Sequence, residues 1–432
     1  MRTKTLSLFC ISLFATSRLI GQTSPQFEAA GLLMLHDADM QAATFSQGTW
    51  NRDPNHRDLF STLTFPLKNP LETVFRSTPV PNSSIRTGKS VVIHPELKLA
   101  YVLEHRGGLG KEVTQVSVSA DMTDIPAGEF LTLVDFSDLE APKALYKMPI
   151  AKNATSISIS PDHHYLAISS TEDEREIEII ELSEDGRPIR IITKPSAFPS
   201  GKIVDVQWHP SGDYVAYINA TSKTVGILKA IKDGPTGKMI RMEQGDHTLA
   251  VGKSPVQGKF SPDGSYFFVM DAKKSKADFR VSEKGELFVI KLNAEGNHFL
   301  LSRCTLGENP TDLAVHPNGM WALVTNAEKS YVQGSETPAT SATISILAIT
   351  GQGNATTQRE ITLEGAIPMS VTWDKTGKHV ITGQYEMANF GIKVGGLDFW
   401  RWQDTTGKPQ LIPQNGKVLV PRGVHSILSI PN

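Results

Sequence analysis

One pattern returns about every 50–65 residues along this chain, an apolar strand, a tight turn of Pro, Gly and Asp, and a second apolar strand. Residues 313–319 read LAVHPNG and run into WALVT, and residues 206–212 read VQWHPSG before YVAYI. The same frame recurs as VVIHP from Val91, ISISPD from Ile157, FSPDG from Phe260 and VTWDKTG from Val371. Each copy continues into a third strand, such as residues 131–136, 177–182 or 344–349, and then a more polar fourth. Period-two alternation, β-branched and aromatic residues, and turn residues at the joints favour strands over helices. Four antiparallel strands per unit, repeated radially, predict an all-β propeller of four-stranded blades.

Six copies are complete, and the chain ends supply a seventh. Residues 30–36, 60–66 and 74–81 match second, third and fourth strands but have no first strand before them. Residues 426–431, SILSIP, match the first strand SISISP at 156–161. A ring closed by N- and C-terminal strands sharing one blade hides the edges that an open array exposes. The expectation is a seven-bladed β-propeller.

The chain has 432 residues and a net charge near −2, so a large core is available without metals or disulfides. Repeats let one domain grow past the usual size, which makes residues 22–432 a single domain. Charges are scattered rather than blocked, which gives no footprint for nucleic acid. Residues 1–21 read as a signal peptide: Arg2 and Lys4 begin it, residues 6–15 are apolar, and Ser17 and Gly21 offer small residues for cleavage. That run is too short to span a bilayer, and no membrane insertion is expected elsewhere. Past the signal, Cys304 stands alone, so no internal disulfide forms. These features predict a monomer that is periplasmic or secreted.

The segment NPTDLAVHPNGMWALVTN from Asn309 to Asn326, the following ISILAI from Ile344 and SPDG from Ser261 resemble the YVTN-type propellers and the related 6-phosphogluconolactonase-like (lactonase) seven-bladed propellers. The resemblance implies the fold directly. The activity it suggests rests on turn and strand residues alone, because function resides in sites grafted on folds.

Up-and-down strands put the tight turns on one face and the long connections, such as residues 37–57 and 105–128, on the other, where binding is expected. Five residues before each turn Pro stands a polar residue, Ser90, Ser156, Asp205, Gln257, Asp312, Ser370 (with Lys375 in the Pro position) or Ser426. Seven such groups predict either a hydrophilic channel mouth or, with more weight, hydrogen bonds between blades. His94, His209 and His316 share one turn position, which reads as architecture. Candidates unique to one blade lie at second-strand ends: His36, Asp37 and Asp39; Glu104, His105 and Arg106; Asp271, Asn326, Gln384, Tyr385 and Glu386. Glu104, His105 and Arg106 offer an acid, a base and a carboxylate-binding fork, the parts that lactone hydrolysis needs. His36, Asp37 and Asp39 form an HDxD cluster with metal-ligand character, outweighed by a plain loop role, so no metal is assigned. No phosphate loop, haem motif or nucleophile elbow occurs, and no cofactor is expected.

Two functions follow. The preferred one is a binding module whose long-loop face and channel mouth take a small molecule (sugar acid or lactone) or a cell-surface protein or glycan. The alternative is a lactonase-like hydrolase or ring-opening or cycloisomerase enzyme acting on a sugar-acid lactone. Export gives the first test: N-terminal sequencing of the mature protein from a secreting bacterial host is expected to begin between about residues 17 and 22. An intact Met1 on the exported protein would refute the signal.

Overall fold

The computed structural model describes residues 24–432 apart from 45–48, 68–73, 84–88, 118–123, 193–198, 274–282, 332–339, 388–393 and 406. The expected signal and parts of several long connections lie outside these residues. All regular elements described are strands; beside one two-stranded sheet they form seven antiparallel sheets of four strands each, two of them carrying an extra short strand. No helix is long and apolar enough to cross a membrane.

The chain is a seven-bladed propeller, and both ends build blade 1. Its strands run Val424–Ile430, Gly31–His36, Leu59–Thr64 and Arg76–Pro79 from axis to rim. Leu33 faces Leu428 and Met34 faces Ile427 across the closing ladder. The innermost strands of blades 2 to 7 are Val91–His94, Ala154–Ile159, Ile203–Trp208, Pro255–Phe260, Pro310–Val315 and Ala366–Trp373. Each begins on the long-loop face and ends in the tight turn. The second strands are buried on both sides because each blade packs against two neighbours, while outer strands such as Lys143–Pro149 are mostly exposed.

Seven apolar clusters fill the seven gaps between adjacent blades. An eighth belongs to no gap. It gathers Met40, Trp50, Ile125 and Tyr331 from the long connections of blades 1, 2 and 6 with Ile367 and Met369 from the start of blade 7's inner strand. A small extra sheet, Thr49–Asn51 with Gln115–Ser117, ties two of those connections together. The long-loop side of the ring therefore carries its own apolar roof.

Blade 1 is made by pairing chain ends, so its inner strand should govern global stability. Ile427 is buried between blades 1 and 7, and Ile427→Ala is expected to cost about 2–4 kcal/mol in urea unfolding. A chain ending at Gly423 should lose its single cooperative transition; unchanged unfolding of that chain would break the closure argument.

Candidate functional site

The long-loop face has a concavity where blades 1 and 7 meet. Blade 7 contributes Val418–Pro421, which pairs with its third strand Val394–Thr405, and the chain then turns through Arg422 and Gly423 into the closing strand. Gly423 sits at φ +83, and a first side-chain carbon there would lie 2.1 Å from the Asp37 carbonyl oxygen. Only glycine lets the two backbones approach this closely. Asp37 N–H donates to Gly423 O at 2.9 Å, and Gly423 N–H donates to Tyr385 O at 2.8 Å. Tyr385 in turn donates its hydroxyl to the carbonyls of Asp37 and Met40. Glu386 accepts from Ala42 N–H. His36, Asp37, Asp39, Tyr385 and Glu386, distant in sequence, thus meet around one loop.

Beside this loop lies a pocket of about 470 Å³, walled by Phe75 and Leu419 and edged by Asn55, His56, Arg57 and Arg422. Arg422 is buried, with a side chain 1 % exposed. Its Nη2 donates to Ala38 O at 2.7 Å and lies 3.8 Å from an Asp53 carboxylate oxygen. Nε and Nη1 are buried and meet no acceptor among the described residues. A guanidinium with two such donors is a fork suited to a carboxylate or a developing oxyanion.

On the other side of the loop, Asp37, Asp39 and Asp58 bring one carboxylate oxygen each within 4.8 Å of one another. Arg52 Nε donates to Asp39 at 2.7 Å. Asp58 accepts from Asn82 N–H and Ser83 Oγ–H through one oxygen, and its other oxygen is buried without a donor among the described residues. Burial, and then the neighbouring charge of Asp39, push the Asp58 carboxyl up to about 7. Oxygens alone make this a donor set for a hard cation, but Arg52 and Arg422 already supply positive charge there. His36 turns away from it: Nδ1 lies 3.0 Å from Pro421 O, and burial pushes its pKa down to about 4.

The central channel is narrower, about 90 Å³. Its polar ring links blades. Asp205 accepts from Ser156 Oγ at 2.5 Å, Gln207 Nε2 at 3.0 Å and Gly258 N–H at 2.6 Å, spanning blades 3 to 5. Asp312 accepts from Gln257 Nε2 and Val371 N–H, and Ser370 Oγ accepts from Ile427 N–H. Buried carboxylates here serve as inter-blade acceptors, with Asp205 pushed up to about 6 by burial. Lys89 stands beside Lys259, and burial pushes its pKa down to about 8. The apolar roof replaces much of the hydrophilic mouth that the ring suggests from sequence.

The remaining candidates stand apart. His105 reaches Ser90 Oγ at 2.6 Å through Nε2 and the blade 3 carbonyl of Ala154 at 2.5 Å through Nδ1. Burial pushes its pKa down to about 4. Arg106 donates to Asn153 Oδ1, and Glu104 accepts from Glu129 N–H, its carboxyl raised by burial. Asp271 accepts from the backbone N–H groups of Lys253, Ser254 and Lys273. Asn326 donates to Ser345, and Gln384 donates to Asp398. Sequence reasoning missed Asp58, Arg52 and Arg422; a lone Arg-Gly just before the closing strand was the available signal for the last.

Solved structures resemble the whole ring. A periplasmic gluconolactonase from Pseudomonas aeruginosa aligns over 92 % of this chain and 98 % of its own, at 14 % identity and a TM-score of 0.59. A protein from Bacteroides uniformis, provisionally described as a 6-phosphogluconolactonase, aligns over 92 % and 99 % at 11 % identity and 0.59. The fold is that of the lactonase propellers. A hypothetical selenium-binding protein from Sulfolobus tokodaii aligns equally well, over 93 % of both chains at 9 % identity and 0.59, so the likeness fixes fold and leaves activity to the site. No family model matches the chain, and no curated protein does.

The carboxyl cluster gives a pH signature. Asp58 keeps its proton when folded to a higher pH than when unfolded, so the native state binds more protons between about pH 4 and 7 and loses stability as pH rises through that window. The buried histidines His36 and His105 act in the opposite sense, and equally in both proteins compared. Asp58→Asn should therefore melt near wild type at pH 5 and gain relative to it by pH 8, read by calorimetry. A melting difference independent of pH would remove Asp58 as the titrating group.

Proposed function

We propose that the chain hydrolyses a sugar-acid lactone in the pocket between blades 1 and 7. The observation that carries the reading is Arg422, a residue of the pocket wall with two guanidinium donors unmatched among the described residues, together with the His56–Asp53 pair, whose carboxylate lies 3.8 Å from it. Pocket size agrees: about 470 Å³ lies within the range that holds small ligands, and the 90 Å³ channel does not. The lactonase propellers of similar fold favour this reading over the plain binding module first preferred from sequence.

In the proposed reaction His56, on the pocket wall with Nδ1 3.0 Å from the Asp53 carboxylate, takes a proton from water as the water oxygen adds to the lactone carbonyl. Arg422 holds the carbonyl oxygen as it gains charge. The bond from that carbon to the ring oxygen then breaks, and the ring oxygen takes the proton back, leaving an open hydroxy acid. Arg57, exposed at the rim, suits a carboxylate or phosphate on the sugar. This assignment moves the chemistry from Glu104, His105 and Arg106, whose side chains are engaged at the junction of blades 2 and 3. The N-terminal signal reading would put this activity in the periplasm or outside the cell.

A pH-stat assay on aldonolactones with and without a 6-phosphate should show turnover. His56→Gln should lower kcat about 10²–10⁴-fold, and Arg422→Met should lower kcat/KM while the melting transition stays cooperative. Wild-type protein that gains thermal stability with the corresponding sugar acid but turns over no lactone would return the site to binding alone.

A further inference from the structure

The tight-turn face holds a second arrangement, at blades 2 and 3. In two other blades the turn histidine reaches the next blade's turn in one way: His209 Nε2 lies 3.1 Å from Gly264 O, and His316 Nε2 lies 3.1 Å from Gly377 O. Both glycines have positive φ, +73 and +68, and a first side-chain carbon at either would sit 2.3 Å from the histidine nitrogen. Glycine is required at that contact. Blade 2 carries the same turn histidine, His94, yet the facing left-handed position in blade 3 is His163, at φ 58.

The substitution of an imidazole for the glycine changes what the junction can do. His94 Nδ1 lies 3.1 Å and His163 Nδ1 3.0 Å from the same Glu96 oxygen, and the two rings stand 4.8 Å apart between centroids. One ligand atom from each of the three residues falls within 4.8 Å of the others. Tetrahedral zinc with bonds near 2.0–2.1 Å sets its ligands roughly 3.3 Å apart, so small side-chain rotations suffice. Solvent can deliver the ion: the side chains are 13 % (His94), 24 % (His163) and 65 % (Glu96) exposed.

We propose that His94, Glu96 and His163 bind one zinc-class divalent ion that bridges blades 2 and 3, with the fourth position left to water or to the adjacent His164. Two imidazoles and a carboxylate select borderline transition metals over Mg²⁺ or Ca²⁺. The site lies on the face opposite the proposed lactone pocket and does not depend on that reading.

The test is titration of chelator-treated, full-length protein with Zn²⁺ against a chromophoric competitor, and with Co²⁺ for its visible spectrum. One equivalent of Zn²⁺ and a tetrahedral Co²⁺ band are expected in wild type. His163→Gly restores the residue that blades 5 and 7 use at this position, so its fold should hold, and it should lose both the equivalent and the band. Asp39→Asn, on the other face, should lose neither. Wild type that binds no Zn²⁺, or His163→Gly that binds it with unchanged affinity and spectrum, would overturn the proposal.

Discussion

The pairing of Gly31–His36 with Val424–Ile430 is the interaction on which the rest of the molecule depends. Each blade buries its second strand only because neighbours stand on both sides, and a ring with one unclosed gap would leave two apolar faces and two ladder edges in water. The closing strand removes both. It also completes the channel wall and positions Arg422 and Gly423 against the loop after His36, so the same ladder that seals the ring builds the pocket.

Hydrogen bonds between inner strands reinforce that closure. Asp205 and Asp312 each accept from the backbone of the next blade, which explains why buried acids are tolerated near the axis. Thr311 Oγ1 donates to Pro368 O and Thr155 Oγ1 to Ile203 O, the same link one residue earlier on the inner strand. Propeller blades held only by apolar packing could slide past one another. Directional bonds at the axis set their angular register, and the long connections can then be placed with enough accuracy to form a site.

The fold was legible because the information is local and repeated: a turn Pro or Gly, alternation by two, and a last strand spelled like the other first strands. The polar ring was legible for the same reason, and its inter-blade role is the one that the structure shows for most of its members. The pocket was not, because His56 and Arg422 come from opposite ends of the chain and meet only through ring closure. Repetition also misled at one place. His94 shares its position with His209 and His316, but its environment is set by the next blade, where His163 stands in place of glycine. His163 is half-buried against it.

The pocket's walls come from both ends of the described chain: Asn55 to Arg57 from the connection into the third strand of blade 1, Leu419 to Arg422 from the segment before the closing strand. A guest that touches both walls acts as a clasp across the zip of the ring. Opening of the ring begins where its two ends meet, so occupancy would slow unzipping and protect the protein from proteases even where it adds little equilibrium affinity. Persistence of the folded ring would then follow the supply of that guest.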